Sequence, residues 1–453
     1  MRKEFLSYWG VQDGGFSIWS ILDVSTDVSI REAKLIPCKN SYIVSPSFAI
    51  ANCLAFNTFG MKLTNTHIRP AWIIRLTGGS LLPSPYKRYD WSDIVKYIKN
   101  NTEQSTWKEF LRITSTPVKK EIVCLILVLP SDNENGGDIV FGVIVRFSNE
   151  HKLPMNVSKT KKVMPTHIVR LDYDYLLSRC SGTPSLRDKR VLLLGCGSVG
   201  GFLANNLCQL GITQLDLLDK DYLSSENAHR HFLGFESINL DSPKMKADLV
   251  RTVLTNKYPY VEIDSLNYKN RSVEKVFLNS PNRLREYDLI ISALGEPTLN
   301  LAINELLIFH HISTPFMVCF NEPYGIGGHV ISVNLDRCSC LQCLYSDLNY
   351  GTLCEFRASL VAPGQNFAKT LSGCSGYFVP YSCLDSQQTA LCGARKAVDI
   401  LTGRLLHNDL YTWRGDSTLL KSQGYQLSSF YYSDLAPDNF SNPRCPICRQ
   451  RGV

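Results

Sequence analysis

Three stretches of this chain carry residue types in spacings that could do chemistry. The first is Gly195-Cys-Gly197-Ser-Val-Gly200, set between an apolar run and a helical pattern. Glycines let the backbone come close to phosphates, and a helix N-terminus offers free N–H groups and a positive dipole end. Asp219 ends the next apolar run, where a ribose hydroxyl is ordinarily held. A tight structural turn and an NAD-dependent oxidoreductase are both compatible with that much. The run LLDKDYLSSENAHRHFLG (217–234) narrows the reading. It places Asp221, Asn227, Arg230 and His231 just beyond the strand, and Lys244 follows at a helix start. Hydride transfer has no special need of cations there. An ATP-dependent adenylating enzyme must hold a triphosphate and offset charge developing at the α-phosphate. Lys246 reads as a solvated charge, and His229 and His231 as structural.

The second feature is a pair of C-x-x-C turns, Cys340-Leu-Gln-Cys343 and Cys445-Pro-Ile-Cys448. Four thiolates on two tight turns are the tetrahedral set that structural Zn²⁺ prefers. Two unrelated reduced pairs or a redox site are the competing readings. The third feature is the run 354–403, which holds Cys354, Cys374 and Cys383 ahead of a helix expected from about 384 to Gly403. Cys374 sits among glycines, and Cys383 at the helix start, where the dipole favours a thiolate.

These residues need elements to position them. RVLLLG (190–195), QLDLLD (214–219), YDLIISAL (287–294) and PFMVCF (315–320) read as strands, alternating with helices over 201–211, 244–259 and 299–311. Such alternation predicts a parallel, doubly wound sheet, with GHVISVNL (328–335) opening an antiparallel extension. Before residue 165 the chain reads as mixed α and β. WSDIVKYIKNN (91–101) has helical spacing, EIVCLILVLP (121–130) and DIVFGVIVRF (138–147) predict a hairpin, and NVSKTKKVMP (156–165) reads as a linker.

At these residues the sequence resembles the superfamily of ubiquitin-activating enzymes and their bacterial relatives MoeB and ThiF. The shared pattern is the glycine loop, D-x-D, N-x-x-R and a lysine before the next helix, over roughly 170–453. The histidine after Arg230 resembles the bacterial branch that travels with ubiquitin-like conjugation systems, including antiphage defence operons. The fold implied is α/β: a Rossmann-like doubly wound adenylation domain (166–453) with a structural zinc knuckle, preceded by a separate mixed α/β N-terminal domain (1–165). The resemblance assigns Gly195, Gly197, Gly200, Asp219, Asp221 and Asn227 to ATP and its Mg²⁺, Arg230 and Lys244 to the phosphates, and Cys340, Cys343, Cys445 and Cys448 to Zn²⁺. One departure matters. The family's magnesium-binding aspartate falls near Gly295 here, and Glu296 is the carboxylate that could replace it.

The resemblance also implies a crossover loop, 354–384, whose cysteine accepts an acyl group. Cys374 is first choice for that catalytic role, then Cys383, then Cys354; a MoeB-like enzyme would use none of them. Residues 1–165 lack the histidine-proline-asparagine stretch of a conjugating domain and are expected to recruit the modifier or its conjugating partner, or to dimerise. Arg170 and Arg179 are candidates to reach an ATP site. The implied function is activation of a ubiquitin-like protein with a C-terminal glycine, followed by transfer to a ubiquitin-conjugating-like enzyme, by a homodimer. Adenylation of a sulfur carrier for cofactor synthesis and a noncatalytic scaffold with a degenerate site are the alternatives.

Composition agrees with a folded enzyme. The 453 residues carry 48 basic and 41 acidic side chains, a net +7, too mild for a nucleic-acid binder. No run approaches the ~18 apolar residues of a membrane span, and no secretory leader is legible at the start. The sixteen cysteines are therefore expected as cytoplasmic thiols. Cys38, Cys53, Cys124, Cys180, Cys196, Cys208, Cys319 and Cys392 read as packing, and Cys338 as a spare beside the first C-x-x-C pair.

Overall fold

The computed structural model describes residues 17–448, apart from 21–29, 39–40, 46–50, 52–54, 56–61, 64–67, 79, 81, 84–87, 116, 119–121, 131–137, 148–150, 153–159, 179–185, 240, 259, 267–275, 278, 337–338, 371–377 and 434–439. Two compact units divide the chain, Met1–Gly182 and Thr183–Val453.

The first unit is a closed barrel of seven strands: β1 (Ser17–Ser20), β2 (Ile30–Cys38), β3 (Ser41–Ser45), β4 (Arg69–Arg75), β6 (Ile122–Leu129), β7 (Ile139–Phe147) and β9 (Thr160–Arg170). Two short strands, β5 (Pro117–Val118) and β8 (His151–Lys152), form a separate ribbon. The expected hairpin is β6–β7, in antiparallel register from Ile122↔Arg146 to Leu129↔Ile139. Of the segment read as a linker, 156–159 lie outside the described residues and 160–165 belong instead to β9, which pairs antiparallel with β7 and parallel with β1. Its backbone groups are needed to close the barrel, since an unpaired edge would leave them exposed. Alternation splits β6 between two cores. Cys124, Ile126 and Val128 pack with Leu35, Val44 and Ile144, while Val123, Leu125 and Leu127 pack beneath two helices. These are α1 (Trp91–Asn100) and α2 (Gln104–Ser115). Helix α1 begins in a capping box between Asp90 and Asp93 and buries Trp91, Ile94 and Ile98. A short helix, α3 (Tyr173–Ser178), follows β9.

The second unit is an open seven-stranded sheet in the order β12-β11-β10-β13-β14-β15-β16. Its strands are β10 (Arg190–Leu194), β11 (Gln214–Leu218), β12 (Glu262–Ser265), β13 (Leu289–Ser292), β14 (Phe316–Asn321), β15 (Gly327–Val333) and β16 (Asp409–Arg414). The first five are parallel, and β15 and β16 extend the sheet antiparallel. Helices α4 (Ser198–Leu210), α5 (Lys246–Lys257) and α7 (Cys383–Leu401) cover one face. Helix α6 (Pro297–Phe309) and the Cys340–Tyr345 turn cover the other. Two-sided burial explains why Val191–Leu194 and Leu289–Ile291 are unbroken apolar runs. A short helix, α8 (Thr418–Ser422), follows β16. The order reverses between β10 and β13, and the crevice beyond the carboxyl ends of those two strands is where open α/β sheets bind ligands. Among the described residues, no helix is long and apolar enough to cross a membrane.

A candidate nucleotide cleft and a four-cysteine centre

That crevice is a cleft of about 480 Å³. Gly195, Gly197, Asp219, Asp221, Asn227, Arg230 and Glu296, expected to act together, all line it. The loop's tight turn has a steric cause. Gly195 has φ +88°, and a Cβ on it would lie 2.7 Å from the carbonyl oxygen of Ala293. Gly200 is not a lining residue; a Cβ there would collide with the carbonyl of Gly195, so it lets α4 start directly beneath the turn. Gly197, in contrast, faces open space and has no side chain to cap α4. The N-terminal end of α4 meets the cleft through Gly197, Ser198 and Val199.

The peptide of Cys196 is held from both sides. Its N–H donates to Asp219 Oδ2 at 2.7 Å, while Asp219 Oδ1 accepts the Asp221 N–H at 2.8 Å. Its carbonyl meets His231 Nε2 at 2.6 Å. His231 Nδ1 accepts the Leu233 N–H at 3.2 Å, so the proton sits on Nε2 and is donated to Cys196. Burial lowers the His231 pKa and raises that of Asp219. His231 is therefore a neutral brace for the loop. Asp219, expected at a ribose, also shapes the turn. Burial also pushes the Cys196 thiol well up, which suits packing and not nucleophilic attack.

The lysine that lines the cleft is not the one the sequence reading favoured. Lys244 is exposed and is not among the lining residues; Lys246 lines the cleft, with Nζ 3.2 Å from Asp221 Oδ2. The cause is a bridge between Tyr222 and Met245, flanked by Leu223 N–H to Lys244 O at 3.1 Å and Lys246 N–H to Asp221 O at 2.8 Å. Met245 is buried between the two lysines, and α5 begins at Lys246 beside Asp221. Arg230 is half-buried, and among the described residues no carboxylate pairs with it; its guanidinium lies 5.9 Å from the Tyr381 ring centre. Asn227 caps its own turn, accepting from Ser224 N–H and Oγ at 3.3 and 3.1 Å. Glu296 stands exposed at the N-cap of α6. Arg170 is engaged elsewhere, in the first unit. It donates to both Asp172 oxygens at 2.8 and 2.6 Å and to the Asp138 carbonyl at 2.9 Å. Arg179 lies outside the described residues.

Sequence reasoning missed the far wall of the cleft: Phe320, Asn321, Tyr345, Phe378, Val379 and Tyr381. Only the second half of the run before α7 could have hinted at it. Cys374 lies outside the described residues, as do Cys53, Cys180 and Cys338. The residues at the ends of its loop are described. Lys369 and Phe378 exchange backbone hydrogen bonds at 2.9 and 3.0 Å. Cys383 is the first residue of α7 and half-buried; Cys354 is also half-buried, its thiol pushed up by desolvation. Cys38, Cys124, Cys208, Cys319 and Cys392 are buried.

The two C-x-x-C turns converge. The Sγ atoms of Cys340, Cys343, Cys445 and Cys448 all lie within 4.8 Å of one another. Cys340 Sγ is 3.8 Å from Cys445 Sγ, and Cys343 Sγ is 3.5 Å from Cys448 Sγ. Around a tetrahedral zinc with Zn–S of about 2.3 Å, sulfurs stand about 3.8 Å apart, so the four residues fit that ion. Arg357 braces the turn by donating to Cys343 O at 2.8 Å and Phe440 O at 3.4 Å. Asn442 Nδ2 donates to the carbonyls of Ser346 and Asp347 at 2.9 and 3.1 Å.

Residues 176–375 match the ThiF family. The ATP-dependent ubiquitin transferase-like protein Cap2 of Pseudomonas aeruginosa is 30% identical over 292 residues, 63% of this chain and 48% of that protein. Cap2 of Vibrio cholerae is 26% identical over 251 residues, 53% of this chain and 40% of that protein. Ubiquitin-like modifier-activating enzyme 5 of Caenorhabditis elegans is 24% identical over 166 residues, 35% of this chain and 38% of that protein. The chain thus spans about half the length, or less, of these curated relatives. Among solved structures, Escherichia coli MccB with MccA aligns at a TM-score of 0.39 and 16% identity, covering 54% of this chain and 65% of that one.

Proposed function

Starting from a chain that carries a ThiF-family domain, we propose that this protein activates a ubiquitin-like protein at its C-terminal glycine. ATP binds with its phosphates on the Gly195–Gly200 loop and the N-terminal end of α4, and its ribose toward Asp219. The glycine carboxylate attacks the α-phosphorus. The bond from that phosphorus to the bridging oxygen breaks, giving an acyl-adenylate and pyrophosphate. Arg230 and Lys246 offset the charge that builds on the phosphate oxygens, the kind of preorganised electrostatic contribution that dominates phosphoryl chemistry. Lys246 takes the place expected of Lys244. Asp221 and Glu296 would hold Mg²⁺, which supplies charge neutralisation at the phosphates when bound. The four-cysteine centre would hold Zn²⁺ as a closed structural site.

In the second stage a thiolate attacks the adenylate carbonyl, the carbon–oxygen bond to AMP breaks, and a thioester remains. Cys374 is assigned that thiol on the family resemblance, and it precedes by four residues Phe378, which lines the cleft. The acyl group then passes to the cysteine of a separate conjugating protein. The N-terminal unit would recruit the modifier or that partner, or pair two copies of the chain. The likeness to an ATP-dependent ubiquitin transferase-like protein supports a conjugation pathway over cofactor synthesis, and defence is the pathway class we assign to it.

The observation that carries this reading is the convergence of glycine loop, Arg230, Lys246 and carboxylates at the sheet's switch point. Incubation with ATP and the modifier should give an adduct on the enzyme that dithiothreitol removes. Cys374→Ala should abolish it and Cys383→Ala should retain it. The reverse result moves the role to Cys383. AMP release without any adduct gives the sulfur-carrier mechanism instead.

A further inference from the structure

Tyr381 joins the phosphate end of the cleft to the start of α7. Its hydroxyl is 3.0 Å from Ser198 Oγ, and both residues line the cleft. Ser198 is the first residue of α4, directly after the open N-cap at Gly197. Its hydroxyl therefore stands where an anion on that helix end would be bound. On the other side, Tyr381 immediately precedes a stiff helix start. Ser382 N–H and Oγ donate to Asp385 Oδ2 at 2.7 and 2.8 Å, and Asp385 N–H donates to Ser382 Oγ at 3.2 Å. Cys383 is the next residue. Upstream, the Pro380 carbonyl accepts the Tyr324 N–H at 2.6 Å. The capping box fixes the helix start at Ser382 and Asp385, Tyr381 is bonded directly to Ser382, and the phenol of Tyr381 reaches the glycine-loop helix at Ser198.

We propose that Tyr381 is a positioning residue through which nucleotide occupancy sets the exposure of Cys383. The Ser198–Tyr381 bond joins two neutral hydroxyls. A phosphate oxygen on the same serine makes a charge-assisted bond roughly twice as strong, so it takes the hydroxyl when it arrives. The phenol is then released, and the first turn of α7 loses its tie to the loop. Arg230, beside the same ring, turns to the phosphate at the same time. This inference rests on the nucleotide reading of the cleft. It does not depend on which cysteine carries an acyl group.

The test is the rate at which iodoacetamide alkylates Cys383 in the full chain, resolved by peptide mass spectrometry. It is measured with and without a non-hydrolysable ATP analogue and Mg²⁺, and calorimetry reports whether the analogue binds. For wild type the analogue should raise the rate about fivefold, as expected for loss of one hydrogen bond. In Tyr381→Phe the rate without nucleotide should already be raised, and the analogue should change it less than about twofold while still binding. Ser198→Ala should raise the unliganded rate in the same way. Binding to wild type without a change at Cys383 overturns the proposal, as does a Tyr381→Phe protein that responds like wild type. If the analogue does not bind wild type, the nucleotide reading falls first and this inference with it.

Discussion

The barrel of the first unit and the open sheet of the second treat their polar groups in opposite ways. Closure of the barrel through β1 and β9 leaves no edge, and its charges are matched at close range: Arg75 to Asp138 at 3.0 Å and Arg170 to Asp172 at 2.6 Å. In the second unit the two ends of the sheet differ in how Arg190 and Arg230 are placed. At the amino end of β10, Arg190 pairs with Asp216 at 2.8 Å and with Glu286 at 3.2 Å. At the carboxyl end, where the strand order reverses, Arg230 lines the cleft, Lys246 pairs with Asp221, and among the described residues no carboxylate pairs with Arg230. Matched charges hold a structure together. An unmatched cation beside a glycine turn is available to a ligand.

The largest effect that sharpens this contrast is expected at the four-cysteine centre. Cys445→Ser should lower bound zinc from about one per chain to near zero and destabilise the second unit, because metal binding to such a site is itself folding free energy. Zinc unchanged in that variant would break the assignment. Next comes the cleft. Lys246→Ala should slow adenylation by about 10²–10³, the scale of one lost transition-state contact, while Lys244→Ala stays near wild type. Equal losses would contradict the assignment of the phosphate contact to Lys246. In the barrel, Ile126→Ala should cost about 2–5 kcal/mol of stability, read by denaturant titration, with little change in adenylation per folded molecule. A comparable fall in turnover per folded molecule would show that packing inside the barrel sets the adenylation rate.

The smallest effect is a pH slope. The folded state keeps His231 neutral and lowers its pKa, so the unfolded chain binds more protons below about pH 6.5. Stability from this residue is full above that pH and declines as pH falls toward the lowered folded value. His231→Gln, whose amide can still donate to the Cys196 carbonyl, should flatten the fall in melting temperature between pH 7 and pH 5. An unchanged slope would leave His231 without this role.

Legibility in the sequence followed the range of the interactions. The glycine turn and each C-x-x-C pair are local, so strand, turn and helix signals around Gly195 and Cys340 were enough to find them. The choice between Lys244 and Lys246 depends on a bridge from Met245 to Tyr222, across a loop with no periodic pattern. Barrel closure depends on Ser17–Ser20 meeting His167–Arg170, a pairing between chain segments that carry no matching motif, and the basic stretch before it read as a linker. Tyr381 carried no signal in its own residue type. Its place follows from the reach of α7 back to the glycine loop, where its hydroxyl meets Ser198.

The central claim is adenylation of a protein C-terminus at the glycine-loop cleft. Isotope exchange between pyrophosphate and ATP tests it most directly, run with the purified chain and a ubiquitin-like protein that ends in glycine. The account predicts exchange that requires the modifier, requires its C-terminal glycine, and is lost in Arg230→Ala. Exchange that persists without the modifier, or in Arg230→Ala, would contradict it, as would no exchange with a modifier that binds the chain.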